Sequence, residues 1–266
     1  MPHRHRGWTI RPVLVAALAI LVLTATTVAG CGTRRSSAQQ LRVEVLATLP
    51  HDPTMYTEGL EMHGGILYES SGLVGQSRVR TTVLPSASPL REATLPAPLF
   101  GEGLTVTDTA LWQLTWTNGM AIERDPATLA QRRVVTYPGQ GWGLCHDEHR
   151  LVMSDGTDQL TFRDPVTFAV LGHVQVRLDD EPLRELNELE CTGDIVWANV
   201  FETDRIVRIN PNTGVVTGVV DASGLFSPLT AGDDVLNGIA AIPGTDQFLI
   251  TGKHWPSLFR VRFVPR

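Results

Sequence analysis

One short pattern returns five times along the chain, and it restricts the fold more than any other feature. Glu58-Gly59-Leu60 is followed by Ile66-Leu67-Tyr68-Glu69-Ser70, and Glu102-Gly103-Leu104 by Ala110-Leu111-Trp112-Gln113-Leu114. Trp142-Gly143-Leu144 precedes Leu151-Val152-Met153-Ser154-Asp155, and Asn187-Glu188-Leu189 precedes Ile195-Val196-Trp197-Ala198-Asn199. Asn237-Gly238-Ile239 precedes Gln247-Phe248-Leu249-Ile250-Thr251. The leading residues stand 44, 40, 45 and 50 positions apart. Helical periodicity is almost absent. Short runs rich in Val, Ile, Leu, Thr and Trp, such as Arg42–Leu46 and Arg205–Ile209, alternate with Gly, Asp, Asn and Pro clusters, which is the pattern of short strands and turns. Three units add a strand that ends in Arg124-Asp125-Pro126, Arg163-Asp164-Pro165 or Asn210-Pro211-Asn212.

A period of roughly 40–45 residues with about four short strands marks a propeller blade. The expectation is therefore an all-β chain folded as a five-bladed β-propeller; a β-sandwich with accidental self-similarity is the alternative. The last unit has only three strands, ending at Ser257–Phe263, and the strand Arg42–Thr48 has no unit of its own. Pairing the two closes the last blade and removes an exposed sheet edge.

Repetition turns spacing into proximity. Equivalent positions on five blades lie on a ring about the central channel, so Glu58, Glu102, Trp142, Asn187 and Asn237 are expected at one mouth. Any one of these residues alone reads as a solvated or capping side chain. Buried carboxylates are costly unless paired, and clustered titratable groups in a cleft point to a functional site.

The N-terminal end reads differently. Arg4, Arg6 and Arg11 precede an apolar run from Val13 to Val28. Sixteen residues are short for a membrane span, which needs about 20, and suit a signal-peptide core. Val28-Ala29-Gly30-Cys31 resembles a bacterial lipobox, so residues 1–30 are expected to be removed and Cys31 to carry the lipid. An ordinary signal peptide with an incidental cysteine is the alternative. Residues 31–40 read as a tether and 41–266 as the propeller domain. This places the protein on the outer face of the bacterial membrane, with the lipid anchor as its one membrane contact. Residues 1–30 carry three arginines and no acid, so the formal charge of −6 becomes −9 on cleavage, which argues against nucleic-acid binding. Cys145 and Cys191 then remain as a pair in a compartment where a disulfide persists; two free thiols are the other reading.

At the repeat residues the chain resembles the glutamine cyclotransferases of plants and bacteria, from Tyr56 to Phe259. Tyr56-Thr57-Glu58-Gly59-Leu60 is similar to the family's Phe-Thr-Gln-Gly-Leu, and Phe100-Gly101-Glu102-Gly103 and Leu114-Thr115-Trp116 match its motifs. Gly141-Trp142-Gly143-Leu144, Met153-Ser154-Asp155-Gly156, Leu186-Asn187-Glu188-Leu189-Glu190 and Trp197-Ala198-Asn199-Val200 also fit, as do Leu236-Asn237-Gly238-Ile239-Ala240 and Thr251-Gly252-Lys253-His254-Trp255-Pro256. Two departures stand out: Glu58 replaces the usual glutamine, and Phe201 a frequent tryptophan.

The resemblance implies cyclisation of N-terminal glutamine to pyroglutamate with release of ammonia, on peptide or protein substrates. It implies Glu102 as the acid–base residue. Asn187 and Lys253 are candidates to hold the oxyanion, and Lys253 reads equally as an ion-pair partner of Glu58 or Glu190. Tyr56, Glu58, Phe100, Trp116, Trp142, Phe201 and Asn237 are candidate substrate-binding residues, while Trp112 and Trp197 are assigned to the core. The histidines show no His-x-x-x-His spacing; no catalytic metal or other cofactor is expected, and the expected state is a monomer. Two alternatives stay open. Glu58, Glu102, Asn187 and Asn237 are also the oxygen donors that Ca²⁺ prefers, as in a lactonase-type hydrolase, and a channel of this kind also suits a non-catalytic binding protein.

Overall fold

Four-stranded antiparallel meanders build the molecule in this computed structural model, which describes residues 1–3, 38–226 and 234–266. One compact unit runs from Ser36 to Arg266. The signal segment, apart from its first three residues, and the lipidation candidate Cys31 lie outside the described residues. After the N-terminal strand β1 (Gln39–Pro50), the first meander holds β2 (Thr57–His63), β3 (Ile66–Ser71), β4 (Arg78–Thr82) and β5 (Pro89–Thr94). The second holds β6 (Gly101–Val106), β7 (Leu111–Thr115), β8 (Met120–Arg124) and β9 (Gln131–Thr136). The third holds β10 (Leu144–Asp147), β11 (Arg150–Met153), β12 (Gln159–Arg163) and β13 (Val170–Gln175), followed by a small hairpin, β14 (Arg177–Leu178) and β15 (Glu181–Pro182). Then come β16 (Leu186–Thr192), β17 (Ile195–Val200), β18 (Arg205–Ile209) and β19 (Val216–Asp221), and finally β20 (Leu236–Ala241), β21 (Gln247–Gly252) and β22 (Ser257–Pro265).

The last two groups share one eight-stranded sheet, ordered β16-β17-β18-β19-β1-β22-β21-β20. β1 joins them: it runs antiparallel to β22 from Leu41↔Pro265 to Pro50↔Ser257 and parallel to β19 from Gln39↔Gly218 to Arg42↔Asp221. The N-terminal strand therefore fills the missing fourth place beside the last three. It begins at Gln39, so Gln39 and Gln40 belong to the sheet rather than to the tether, because their backbones pair with Gly218 and Val219.

Burial explains why the strands read as they do. β6 and β7 are buried along their whole length, whereas the outer strands β5 and β9 are mostly exposed. β7 accordingly reads Leu111-Trp112-Gln113-Leu114-Thr115, without the polar alternation of a half-exposed strand, whereas the buried β6 carries Gly101 and Gly103 for close approach and Glu102 for the site. β2 packs beside β6, β6 beside β10, β10 beside β16, β16 beside β20, and β20 beside β2. Core clusters fill the gaps between neighbouring meanders. One groups Tyr68 and Val79 with Leu104 and Leu111, and another sets Leu60 and Leu67 against Ala240 and Leu249. Trp112 and Trp197 are both core residues, at 0% and 6% exposure.

Turn chemistry closes the outer hairpins. The side chain of Asp125 accepts the N–H groups of Ala127 and Thr128, Asp164 those of Val166 and Thr167, and Asn210 those of Asn212 and Thr213. Short Asx side chains suit this because they bond their own backbone two and three residues on. The first strands need glycine for close approach. A Cβ at Gly103 would stand 2.5 Å from the Trp142 oxygen, and one at Gly143 2.1 Å from the Asn187 oxygen.

Candidate active site

Four of the first strands slip their register at the residue carrying the repeat. The shifts fall between Thr57 and Gly59, Gly101 and Leu104, Leu186 and Leu189, and Leu236 and Ile239. Glu58, Glu102, Asn187 and Asn237 sit in these irregularities, which re-aim a side chain out of the pleat. Trp142 precedes β10 and is held by hydrogen bonds instead. Its N–H donates to the Ser154 oxygen at 3.0 Å, and the Gly143 N–H to Ser154 Oγ at 2.7 Å.

These segments surround a cavity of about 300 Å³. Glu58, Glu102, Asn187 and Lys253 line it with buried side chains, and Tyr56, Phe100, Trp116, Trp142 and Phe201 form its aromatic walls. Leu73 also lines it, from a left-handed backbone conformation at φ 76°. Of the residues singled out in the sequence, Asn237 alone among those given a substrate or catalytic role is not on the cavity wall. It stands behind Glu58, because its Nδ2 donates to Glu58 Oε2 and to the Thr57 oxygen, both at 3.0 Å.

Charge is arranged in layers. Lys253 Nζ donates to Glu58 Oε1 at 2.8 Å, with both side chains buried. The same ammonium lies 4.4 Å from the Tyr56 ring centroid and 5.1 Å from that of Phe201. The ion-pair reading of Lys253 therefore holds, with Glu58 rather than Glu190 as the partner. Burial raises the Glu58 carboxyl to about 7, against the Lys253 charge and hydrogen bond, which draw it down. Burial first, and then the Glu58 charge, push Glu102 well above the ordinary carboxylate range; Lys253 opposes them. Two buried carboxyls lining one cavity do not both ionise freely. With both Glu58 oxygens accepting hydrogen bonds, the proton belongs on Glu102.

Asn187 has a fixed backbone and an unengaged head. Its carbonyl accepts from Ser154 Oγ at 2.7 Å, while its side-chain Oδ1 is buried with no protein partner. Gln140 Oε1 accepts the indole N–H of Trp116 at 2.7 Å and of Trp142 at 3.0 Å. Neither Gln140 nor Leu73 was signalled by the sequence, since both sit in connections outside the repeat. The same inner strands bury Glu188 and Glu190 and half-bury Glu61. Glu188 takes the N–H groups of Leu60 and Ile239 at 3.2 and 2.8 Å, and burial is the main cause raising all three carboxyls.

Among the described residues, no group of three or more His, Cys, Asp or Glu side chains is arranged to hold a metal ion. Of the four oxygen donors considered above for calcium, Glu58 has both oxygens engaged, one by Lys253 and one by Asn237. Cys145 on β10 and Cys191 on β16 form a disulfide, with Cα atoms 5.4 Å apart.

An aromatic-walled pocket that holds a raised carboxyl and the unengaged Asn187 side-chain oxygen is the kind of cleft in which enzyme active sites are found. The model of the glutamine cyclotransferase family matches residues 14–263. A curated glutaminyl-peptide cyclotransferase of Arabidopsis thaliana is 37% identical over 226 residues, spanning 83% of this chain and 71% of that protein. The crystal structure of the Myxococcus xanthus glutaminyl cyclase is similar with a TM-score of 0.80 at 37% identity, covering 86% of this chain and 99% of that one. The chain belongs to the glutamine cyclotransferase family.

Proposed function

We propose that this enzyme converts N-terminal glutamine to pyroglutamate with Glu102 as the proton shuttle. Membership of the family makes it a glutaminyl-peptide cyclotransferase acting on peptides that begin with glutamine. The observation that carries the role of Glu102 is its place in the cavity as a buried carboxyl raised by desolvation and by Glu58. The substrate's α-nitrogen attacks its own side-chain carbonyl carbon, the bond to the amide nitrogen breaks, and one proton passes from the α-nitrogen to the departing ammonia. Nucleophile and electrophile share a molecule, so orientation is the smaller problem, and protonating the leaving nitrogen is the larger one. A neutral Glu102 donates that proton and recovers one from the attacking amine. Asn187 holds the developing oxyanion through its side-chain NH₂, a contribution of about 3–4 kcal/mol for such a donor, and Lys253, paired with Glu58, adds a hydrogen-bond donor rather than a net charge.

The fold is best read as a five-bladed β-propeller. The five-fold sequence period, the four-stranded meanders and the circuit of contacts through β2, β6, β10, β16 and β20 support it. Residues 1–30 are read as a lipoprotein signal and Cys31 as its anchor, with the enzyme outside the cell as a monomer. A disulfide suits that oxidising location.

Mass spectrometry of a glutamine-initiated peptide and its Nα-acetylated form tests the function. Loss of one ammonia from the free peptide alone is expected. Equal loss from the acetylated peptide would make the protein an amidase, and loss from neither would overturn the reading.

A further inference from the structure

We infer that the buried ion pair of Glu58 and Lys253 selects N-terminal glutamine against N-terminal glutamate. The inference rests on the cyclotransferase reading and concerns the same cavity.

Glutamine and glutamate side chains are nearly the same shape. An aromatic wall cannot separate isosteres strongly, whereas polar groups left unpaired or in conflict can. Discrimination here must come from charge. Among the described residues, Lys253 is the one Lys or Arg side chain lining the cavity. It is already neutralised, because its Nζ is 2.8 Å from Glu58 Oε1 and the two side chains are only 5% and 2% exposed. The Glu58 carboxylate is itself pinned by Asn237 on its other oxygen at 3.0 Å, so it cannot swing away and release the lysine. Glu102 adds a second acidic group to the same wall.

An entering glutamate carboxylate therefore meets two acidic side chains and a cation that has a partner. A buried carboxylate without its own cation is strongly disfavoured. The glutamine carboxamide carries no charge, and its NH₂ can donate to either acid. Glutamine at position 58, the residue usual in the resembling family, would keep the Asn237 hydrogen bond through its amide oxygen but leave Lys253 without its bonded carboxylate. The same cavity would then attract an anionic side chain. Glu58 is thus a specificity-determining residue, and its carboxylate acts by occupying the lysine.

Calorimetric binding tests this without relying on turnover. Two peptides differing only in the first residue, glutamate or the neutral methionine, are titrated into the wild type, Glu58→Gln and Glu58→Asp. The glutamyl-to-methionyl Kd ratio is expected to fall about tenfold in Glu58→Gln. A fall smaller than threefold overturns the inference. Glu58→Asp keeps the charge and is expected to stay within threefold of the wild-type ratio; if it behaves like Glu58→Gln, the charge is not the cause. Ammonia release from the glutaminyl peptide is measured alongside with the wild type. Its absence would sink the cyclotransferase reading, whereas an unchanged Kd ratio with normal ammonia release would sink the ion-pair inference alone.

Discussion

Trp116 and Trp142, on neighbouring meanders, donate their indole N–H groups to a single acceptor, Oε1 of Gln140, at 2.7 and 3.0 Å. The two walls of the cavity are thus set by one side chain from the connection between β9 and β10. Trp116 is 41% exposed, so little core packing holds it otherwise. Gln140→Leu removes the shared acceptor, and a net hydrogen-bond contribution of about 1 kcal/mol corresponds to a roughly fivefold rise in KM. Steady-state kinetics should show that rise with kcat nearly unchanged; an equal fall in kcat would place Gln140 in the chemistry instead.

The pH profile reports on the coupling of the two acids. Burial and then Glu58 raise Glu102, with Lys253 opposing. The proposed mechanism uses neutral Glu102, so kcat is expected to decline as pH rises through its raised pKa. Glu58→Gln removes the push from Glu58 and leaves Lys253 to pull without a rival, and both changes lower the Glu102 pKa. The alkaline limb of kcat should therefore move to lower pH in this variant. A limb that stays or moves upward would show that Glu58 does not act on Glu102.

The repeat made much of this site legible because equivalent positions became neighbours. Glu58, Glu102, Trp142 and Asn187 line one cavity although they span residues 58–187. The fifth equivalent, Asn237, turns behind Glu58, a choice between two hydrogen-bonding arrangements that spacing does not decide. The partner of Lys253 was open for the same reason, since both Glu58 and Glu190 belong to inner strands. Gln140 and Leu73 were silent because their roles arise from loop conformation, including a left-handed backbone at Leu73 that no residue type announces. The pairing of β1 with β22 was readable from an incomplete last unit, but its parallel pairing with β19 was not.

A second buried charge network ties the chain ends together. His51 places Nδ1 2.6 Å from the Trp255 oxygen and Nε2 2.9 Å from Glu69 Oε1, and Arg80 bonds Glu69 Oε2. Acceptors at both ring nitrogens require the doubly protonated imidazolium. Burial lowers the His51 pKa, but Glu69 outweighs it and the net shift is upward from 6.5. Burial likewise raises Glu69, yet His51 and Arg80 bring it from 4.5 down to about 2. The Glu69 contribution is therefore complete above its unfolded value and lost as pH falls through about 2. That of His51 is complete below about 6.5 and lost as pH rises through its folded value. Both are present in full between about 4.5 and 6.5, where urea unfolding should show this network's greatest contribution. Glu69→Gln should cost about 3–5 kcal/mol, because it leaves the buried His51 without its anion and Arg80 with Asp52 as its remaining partner. A loss below about 1 kcal/mol would contradict this account.

The disulfide between Cys145 and Cys191 links the third and fourth meanders across 46 residues of sequence. Closing a loop of that length restricts the unfolded chain by about 4 kcal/mol. Urea unfolding should reveal a loss near this size when both cysteines are replaced by alanine, and reductant should lower the wild-type midpoint but not that of the double variant. Equal sensitivity of the two proteins to reductant would argue against the bond.

Ammonia release from a glutamine-initiated peptide by the wild type and by Glu102→Gln tests the central claim most directly. Loss of a proton shuttle is expected to lower kcat by roughly 10²–10⁴-fold, with KM within a few-fold and an unchanged Tm. A Glu102→Gln enzyme that retains kcat within tenfold of the wild type would contradict the account and move the proton transfer to another group.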